Sequence, residues 1–157
     1  MEQDVVFANS GYHGIVEDCE SWSVLVVDDS VAVHEAGEFA LKGKVIIGKK
    51  VQFIRAYDVE DARTILEKVS DLDLVILDCD MKTKTDGLEL AHHIKVELKK
   101  TVPVILRTGF VGLGLKTGKE NIPTYIDYLL LKTDATIETL EIIVTECLSM
   151  NMEVKKN

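Results

Sequence analysis

Short apolar runs alternate along the chain with stretches patterned as helices. Val24-Leu25-Val26-Val27, Leu74-Val75-Ile76-Leu77, Val102-Pro103-Val104-Ile105-Leu106 and Tyr128-Leu129-Leu130-Leu131 have strand length and lack an alternating polar face. Such runs suit strands covered on both sides of a parallel sheet. After the first run, Ser30 is placed to cap a helix through about Leu41, with Val31, Ala32, Val33, Ala36, Phe39 and Ala40 as its apolar positions and Gly43 as its stop. Lys44-Val45-Ile46-Ile47 and Val51-Gln52-Phe53-Ile54, joined by Gly48-Lys49-Lys50, read as a hairpin. Its second run continues as a core strand to Ala56, and its first is an added edge.

Asp58 is placed to cap a second helix, in which Val59, Ala62, Ile65, Leu66 and Val69 recur at helical spacing. The polar loop Lys82-Thr83-Lys84-Thr85-Asp86-Gly87 leads to a third helix, from about Leu88 to Lys99, with Leu90, Ala91, Ile94 and Leu98 inward. Gly109, Gly112, Gly114, Gly118 and Pro123 crowd the next connection, so any helix between Lys116 and Tyr125 is short. Thr133 or Asp134 caps a last helix with Ile137, Leu140, Ile143, Val144, Cys147 and Leu148 on its buried side. Strand and helix alternate five times, which predicts a doubly wound α/β domain with helices on both faces of a five-stranded parallel sheet. Residues 1–22 read as an N-terminal extension, 23–150 as the domain and 151–157 as a C-terminal tail.

Composition fits one compact domain: 157 residues, 46% apolar and 29% charged. The 18 Lys and Arg against 27 Asp and Glu give a net charge of -9 without a basic stripe, which argues against direct nucleic-acid binding. No apolar run approaches the roughly 18 residues of a membrane span, and Met1-Glu2-Gln3-Asp4 lacks the basic start of a signal peptide, so a cytoplasmic protein is expected. Cys19, Cys79 and Cys147 have neither disulfide-framework nor zinc-ligand spacing.

Chemistry gathers where the apolar runs end. Asp28 and Asp29 follow the first run, Asp78 the central one, Thr108 the one from Val102 through Arg107, and Lys132 the last. In open α/β sheets the carboxyl-terminal edge is where ligands bind. Three carboxylates brought together there repel by about 4 kcal/mol per pair at about 4 Å and an effective dielectric of about 20. A divalent cation removes that conflict, and hard oxygen ligands suit Mg²⁺. In such a site Asp78 can attack phosphorus to form an acyl phosphate, Thr108 can donate to one phosphoryl oxygen, and Lys132 can neutralise another. Capping and turn formation are the bland alternative for the acids. His34, His92 and His93 read as solvated helix residues, and Cys79 as a packed thiol.

In their order, Val-Val-Asp28-Asp29, Leu-Asp78-Cys-Asp-Met81, Arg-Thr108-Gly and Leu-Lys132 resemble the receiver domains of two-component response regulators, over about Trp22 to Met150. The resemblance implies a flavodoxin-like sheet of order 2-1-3-4-5, here with the extra edge strand or hairpin near 44–50. It implies that Asp78 is phosphorylated by a sensor histidine kinase or phosphotransfer protein. Mg²⁺ or Mn²⁺ would be held by Asp28, Asp29, Asp78 and the backbone carbonyl of Asp80, while Thr108 and Lys132 read the phosphoryl group. The segment Gly43 to Lys50, the Leu-Arg-Thr-Gly run and the Asp-Tyr before the final Lys look like a subgroup often attached to cyclic-dinucleotide phosphodiesterase domains.

Departures from the family pattern are specific. Lys82 stands where Pro is usual, with one extra residue before Gly87; Gly109 replaces Ala and Thr133 replaces Pro. The switch aromatic normally lies three residues before the Lys, where this chain has Leu129; Tyr128 lies four before, and a bulge would restore its direction. The output surface is expected from Phe110 through the final helix, read out by homodimerisation or partner docking. Two other readings remain: a haloacid-dehalogenase-like phosphatase built on Asp78-x-Asp80, Thr108 and Lys132, and a receiver-like interaction module that is never phosphorylated.

Overall fold

The computed structural model describes residues 21–109 and 122–156. The expected short helix between Lys116 and Tyr125 falls largely outside these residues, as do most of the N-terminal extension and the Phe110–Asn121 part of the expected output surface. Strand β1 (Ser21–Val27), helix α1 (Val31–Leu41), β2 (Val45–Ile46), β3 (Lys49–Ala56), α2 (Val59–Lys68), β4 (Leu74–Asp78) and α3 (Asp86–His92) follow in order. A π-helical turn, His93–Glu97, extends α3, and then come β5 (Val104–Thr108), β6 (Tyr128–Leu131), a 3-10 turn (Lys132–Asp134) and α4 (Ile137–Lys156).

Six strands form one sheet in the order β2-β3-β1-β4-β5-β6. The five core strands are parallel, as expected from their unbroken apolar runs, and β2 pairs antiparallel with β3 at the edge. The edge turn is tighter than the sequence suggested. Ile46 pairs with Lys49, leaving Ile47 (φ 46) and Gly48 (φ 81) as a two-residue connection. Positive φ at both positions matches the twist of a tight hairpin, so Lys49 and Lys50 join the strand.

Side-chain parity divides the core. Leu25, Val27, Val75, Leu77, Val104, Leu106 and Leu129 pack on the α2–α3 side, with Ala62, Leu66, Leu90, Ala91 and Ile94. Trp22, Val24, Leu74, Ile76, Ile105 and Leu130 pack on the other side, with Ala40, Leu41, Ile143, Val144, Cys147 and Leu148. The start of β1 is therefore part of the domain: Ser21 pairs with Lys50, and Trp22 is 4% exposed.

Ser30 and Asp58 cap α1 and α2 as expected, accepting from the N–H groups of Val33 and Asp61. Helix α1 is rotated from the predicted phase. His34 joins Ala40 and Leu41 on the inner face, while Val31 and Phe39 are exposed. In the third helix the π-helical turn inserts an extra residue into the repeat, which carries Leu98 off the buried stripe of Leu90, Ala91 and Ile94. Helix α4 starts later than predicted: Thr136, not Thr133 or Asp134, accepts from the Thr139 N–H, because Lys132–Asp134 form the 3-10 turn. Ile137 in its first turn is consequently exposed.

Residues 151–156 are helical rather than a tail, and Asp73 explains why. Its carboxylate accepts from the Ser23 N–H at 2.8 Å, Asn151 Nδ2 at 3.2 Å and Lys155 Nζ at 2.7 Å. Start of sheet and end of α4 are thereby tied together.

At the opposite sheet edge, the β4–α3 loop is closed by Asp86, whose Oδ2 accepts the N–H groups of Lys82 (2.8 Å) and Thr83 (3.0 Å) and whose Oδ1 accepts the Thr83 hydroxyl. These bonds hold the loop that lacks the usual Pro. Gly87 then passes directly against the end of β4: a Cβ there would lie 2.3 Å from the Asp78 carbonyl oxygen and 2.7 Å from Cys79 Cα. Backbone cannot yield cheaply, so Gly87→Ala is expected to cost about 3 kcal/mol, read as a fall in Tm of roughly 10 °C in thermal unfolding.

Arg55 on β3 forms a forked pair with Glu38 on α1, at 2.6 and 2.8 Å. The Arg55 hydrogen bond holds the Glu38 carboxyl below its ordinary pKa. With each side chain about a third exposed, the pair contributes only about 0.5–1 kcal/mol. Because the unfolded chain binds the extra proton, this stability is present above the ordinary Glu range and is lost as pH falls through the lowered folded value. Denaturant unfolding of Glu38→Gln should therefore show a deficit at pH 7 that closes in acid; a deficit independent of pH would exclude the charge as its cause.

Candidate functional site

Four strand ends assemble the site. Asp28 continues the parity of Trp22, Val24 and Val26, while Asp78 continues that of Leu74 and Ile76, and Lys132 that of Tyr128 and Leu130. All three are thus delivered on the α1–α4 side of one sheet edge. One carboxylate oxygen from each of Asp28, Asp29 and Asp78 lies within 4.8 Å of the others. The acidic cluster predicted from the sequence is present, with Asp28 and Asp78 buried and Asp29 exposed.

Lys132 Nζ stands 2.8 Å from Asp78 Oδ1, as required if it is to neutralise charge there. The same oxygen accepts the Asp80 N–H at 3.2 Å, which fixes the carboxylate at the strand end. Burial pushes the Asp78 carboxyl above its ordinary pKa; the Lys132 hydrogen bond opposes that shift, and the nearby Asp28 charge reinforces it. A carboxylate held at net electrostatic cost is one whose neutralisation is favourable.

Thr108 ends β5 with the opposite parity, on the side of Leu106, and is 1% exposed. Its hydroxyl is a partner of the Cys79 sulfur. Cys79 is fully buried, hydrogen-bonds to the Lys84 carbonyl at 3.3 Å, and has its thiol pushed up to about 11 mainly by burial. It packs and is not a reactive thiolate. Tyr128 and Leu129 fall on opposite faces: Tyr128 is half-buried beside α4, and Leu129 is fully buried on the α2–α3 side. Their register against Ile105 and Leu106 is continuous, so the bulge considered for redirecting Tyr128 does not form.

Two participants were not foreseen. Arg107 Nη1 lies 3.0 Å from Asp28 Oδ2 across the top of β4. Its parity is that of Ile105, the face shared by Asp28, and this alternation was the available signal. His34, expected to be solvated, is 2% exposed and its Nε2–H donates to the Asp28 carbonyl at 2.8 Å, with the ring against Tyr57. It faces inward because the loop at the end of β1 offers it an acceptor. His92 is exposed as expected, whereas His93 is partly covered and hydrogen-bonds Glu97.

The donor set fits a small hard cation. Three carboxylates converge, and Mg²⁺ or Mn²⁺ accepts such oxygen ligands while keeping several waters. Among the described residues no helix is long and apolar enough to cross a membrane.

Known proteins are similar to this chain. The model of the response regulator receiver domain matches residues 24–143. The 3'3'-cGAMP-specific phosphodiesterase 2 of Vibrio cholerae is 32% identical over 99 residues, which are 62% of this chain and 19% of that protein. The chain thus spans about a fifth of that relative's length. The signal receiver domain of an HD domain-containing protein from Pseudomonas fluorescens Pf-5 superposes with a TM-score of 0.70 at 21% identity, over 88% of this chain and 94% of that one. A response regulator receiver domain protein from Clostridium thermocellum gives 0.68 at 22% identity, over 85% and 98%. These two likenesses show the fold, and the family match, which runs over most of the chain and through every residue of the acidic site, shows that the chain belongs to the response regulator receiver domains.

Proposed function

We propose that this receiver is a phosphoacceptor and that Asp78 is the residue phosphorylated. The observation that carries the reading is the meeting of three carboxylates with the Lys132 ammonium at the end of the central strand, in a chain of this family. Asp28, Asp29, Asp78 and the backbone carbonyl of Asp80 would hold Mg²⁺ or Mn²⁺. Bound there, the cation supplies neutralising charge for the acids and for an incoming phosphoryl group.

The donor of the reading is a phosphohistidine on a sensor histidine kinase or phosphotransfer protein. An Asp78 oxygen attacks phosphorus, the P–O bond forms as the P–N bond breaks, and the departing imidazole takes a proton. Lys132, already beside Asp78, balances the charge gained. Movement of the Thr108 hydroxyl from Cys79 toward the phosphoryl group would pull on the connection after β5, and Tyr128 would report the change to α4. Homodimerisation or partner docking through the Phe110-to-α4 region is the output in this reading. Receivers ordinarily signal rather than turn over substrate, and membership of that family supports this reading over the haloacid-dehalogenase-like alternative.

Incubation with acetyl phosphate and Mg²⁺, followed by intact mass, tests the site. The protein should gain one phosphoryl group, and Asp78→Asn should gain none because an amide is not a comparable nucleophile. Equal labelling of the variant would displace the phosphoacceptor from Asp78; no labelling of either would favour the interaction-module reading. Asp29→Ala should slow labelling by about tenfold or more, through weaker cation binding.

A further inference from the structure

Asp28 already has a cation. Its Oδ2 pairs with Arg107 at 3.0 Å and its Oδ1 accepts the Ser30 N–H at 2.9 Å. The Asp28 side chain is 3% exposed and that of Arg107 14%, so this pair is shielded from water and from salt. A guanidinium stays charged at any accessible pH, and a dication approaching the same carboxylate meets both a rival ligand and a like charge. Lys132 plays a separate part, because its partner is Asp78.

The structure also provides somewhere for Arg107 to go. Its side chain borders a cleft of about 270 Å³ between α1 and the start of α4, which it shares with Ala36, Gly37, Ala135, Thr136 and Leu140. Small residues keep this space open: a Cβ on Gly37 would meet nothing within 4 Å. A long aliphatic stem can lie along such a wall while its guanidinium reaches the solvent at the mouth. We infer that Arg107 is an internal competitor for the divalent cation, holding Asp28 when the acidic site is metal-free and swinging into the α1–α4 cleft when metal binds.

This inference rests on the reading of Asp28, Asp29 and Asp78 as a cation site. It assigns Arg107 the role of a positioning residue that sets metal affinity. It also makes metal occupancy visible on the α1–α4 surface, through the residue directly before Thr108. A static ion pair would also lower metal affinity by its charge but would not produce the second consequence.

The test compares the full chain with Arg107→Met, which keeps an aliphatic stem, and with Arg107→Lys, which keeps the charge. Free Mn²⁺ is measured by electron paramagnetic resonance, and Tm is measured in EDTA and in Mg²⁺. Arg107→Met should bind Mn²⁺ about tenfold more tightly than the parent, since a competing charge beside the site is gone. In EDTA the same variant should be less stable, because Asp28 is left buried without its partner, and Mg²⁺ should restore more of its Tm than it adds to the parent. Arg107→Lys should stay within about threefold of the parent in Mn²⁺ affinity, by the same charge argument. In the parent, the Arg107 side-chain N–H signal in ¹⁵N NMR, assigned by its absence from Arg107→Lys, should lose protection from exchange as Mg²⁺ is added. Equal or weaker Mn²⁺ binding by Arg107→Met would overturn the inference while leaving the cation site standing. A protected Arg107 signal at saturating Mg²⁺ would overturn it even if the Met variant failed to fold. No Mn²⁺ binding by the parent or the variants would remove the cation site and this inference together.

Discussion

Charge confinement at one edge of a parallel sheet is the constraint on which this molecule depends. The topology brings Asp28, Asp29 and Asp78 within 4.8 Å of one another, and two of the three are buried. Such carboxylates are tolerable only when opposite charge is close. The chain provides it twice, with Lys132 on Asp78 and Arg107 on Asp28, each cation projecting from a strand end or the turn beyond it. A fold that keeps its acids only partly compensated retains affinity for further positive charge.

The surrounding loops are shaped by the same demand for exact placement. Asp86 gathers the N–H groups of Lys82 and Thr83 and so closes the loop by hydrogen bonding. Gly87 lets α3 begin against the backbone of Asp78. His34 anchors the loop after β1 through the Asp28 carbonyl. Helix starts and loop closures on both sides of the cluster therefore fix the carboxylates from the backbone outward.

Much of this was legible in the sequence because the sheet writes itself in apolar runs. The core strands and the sites of Asp28, Asp78, Thr108 and Lys132 follow from where those runs stop, the edge hairpin from the glycine turn between two of them, and the strand order from the family resemblance. What escaped was decided by contacts distant in sequence. Arg107 looks like an ordinary charge at the end of β5 until its parity is matched with that of a residue on β1. His34 reads as a solvent residue because nothing local shows that a backbone carbonyl awaits it. Leu98 follows the ideal helical stripe on paper and leaves it after a single widened turn. The N-cap of α4 moved because a 3-10 turn took up the residues that carried the capping signal.

The Asp73 cluster has a mechanical consequence. Asn151 and Lys155 are held to the start of the sheet, whereas the other end of α4 begins beside the acidic edge with Ile137 exposed. A helix of 20 residues spans about 30 Å, so its two ends belong to opposite poles of the domain. Held to the sheet through Ile143, Val144, Cys147 and Leu148 and tied at its end to Asp73, the helix is fixed along most of its length, which leaves its first turn around Ile137 as the part least constrained by packing. Ile142, exposed in the second turn, stands where that lightly held end meets the packed part of the helix.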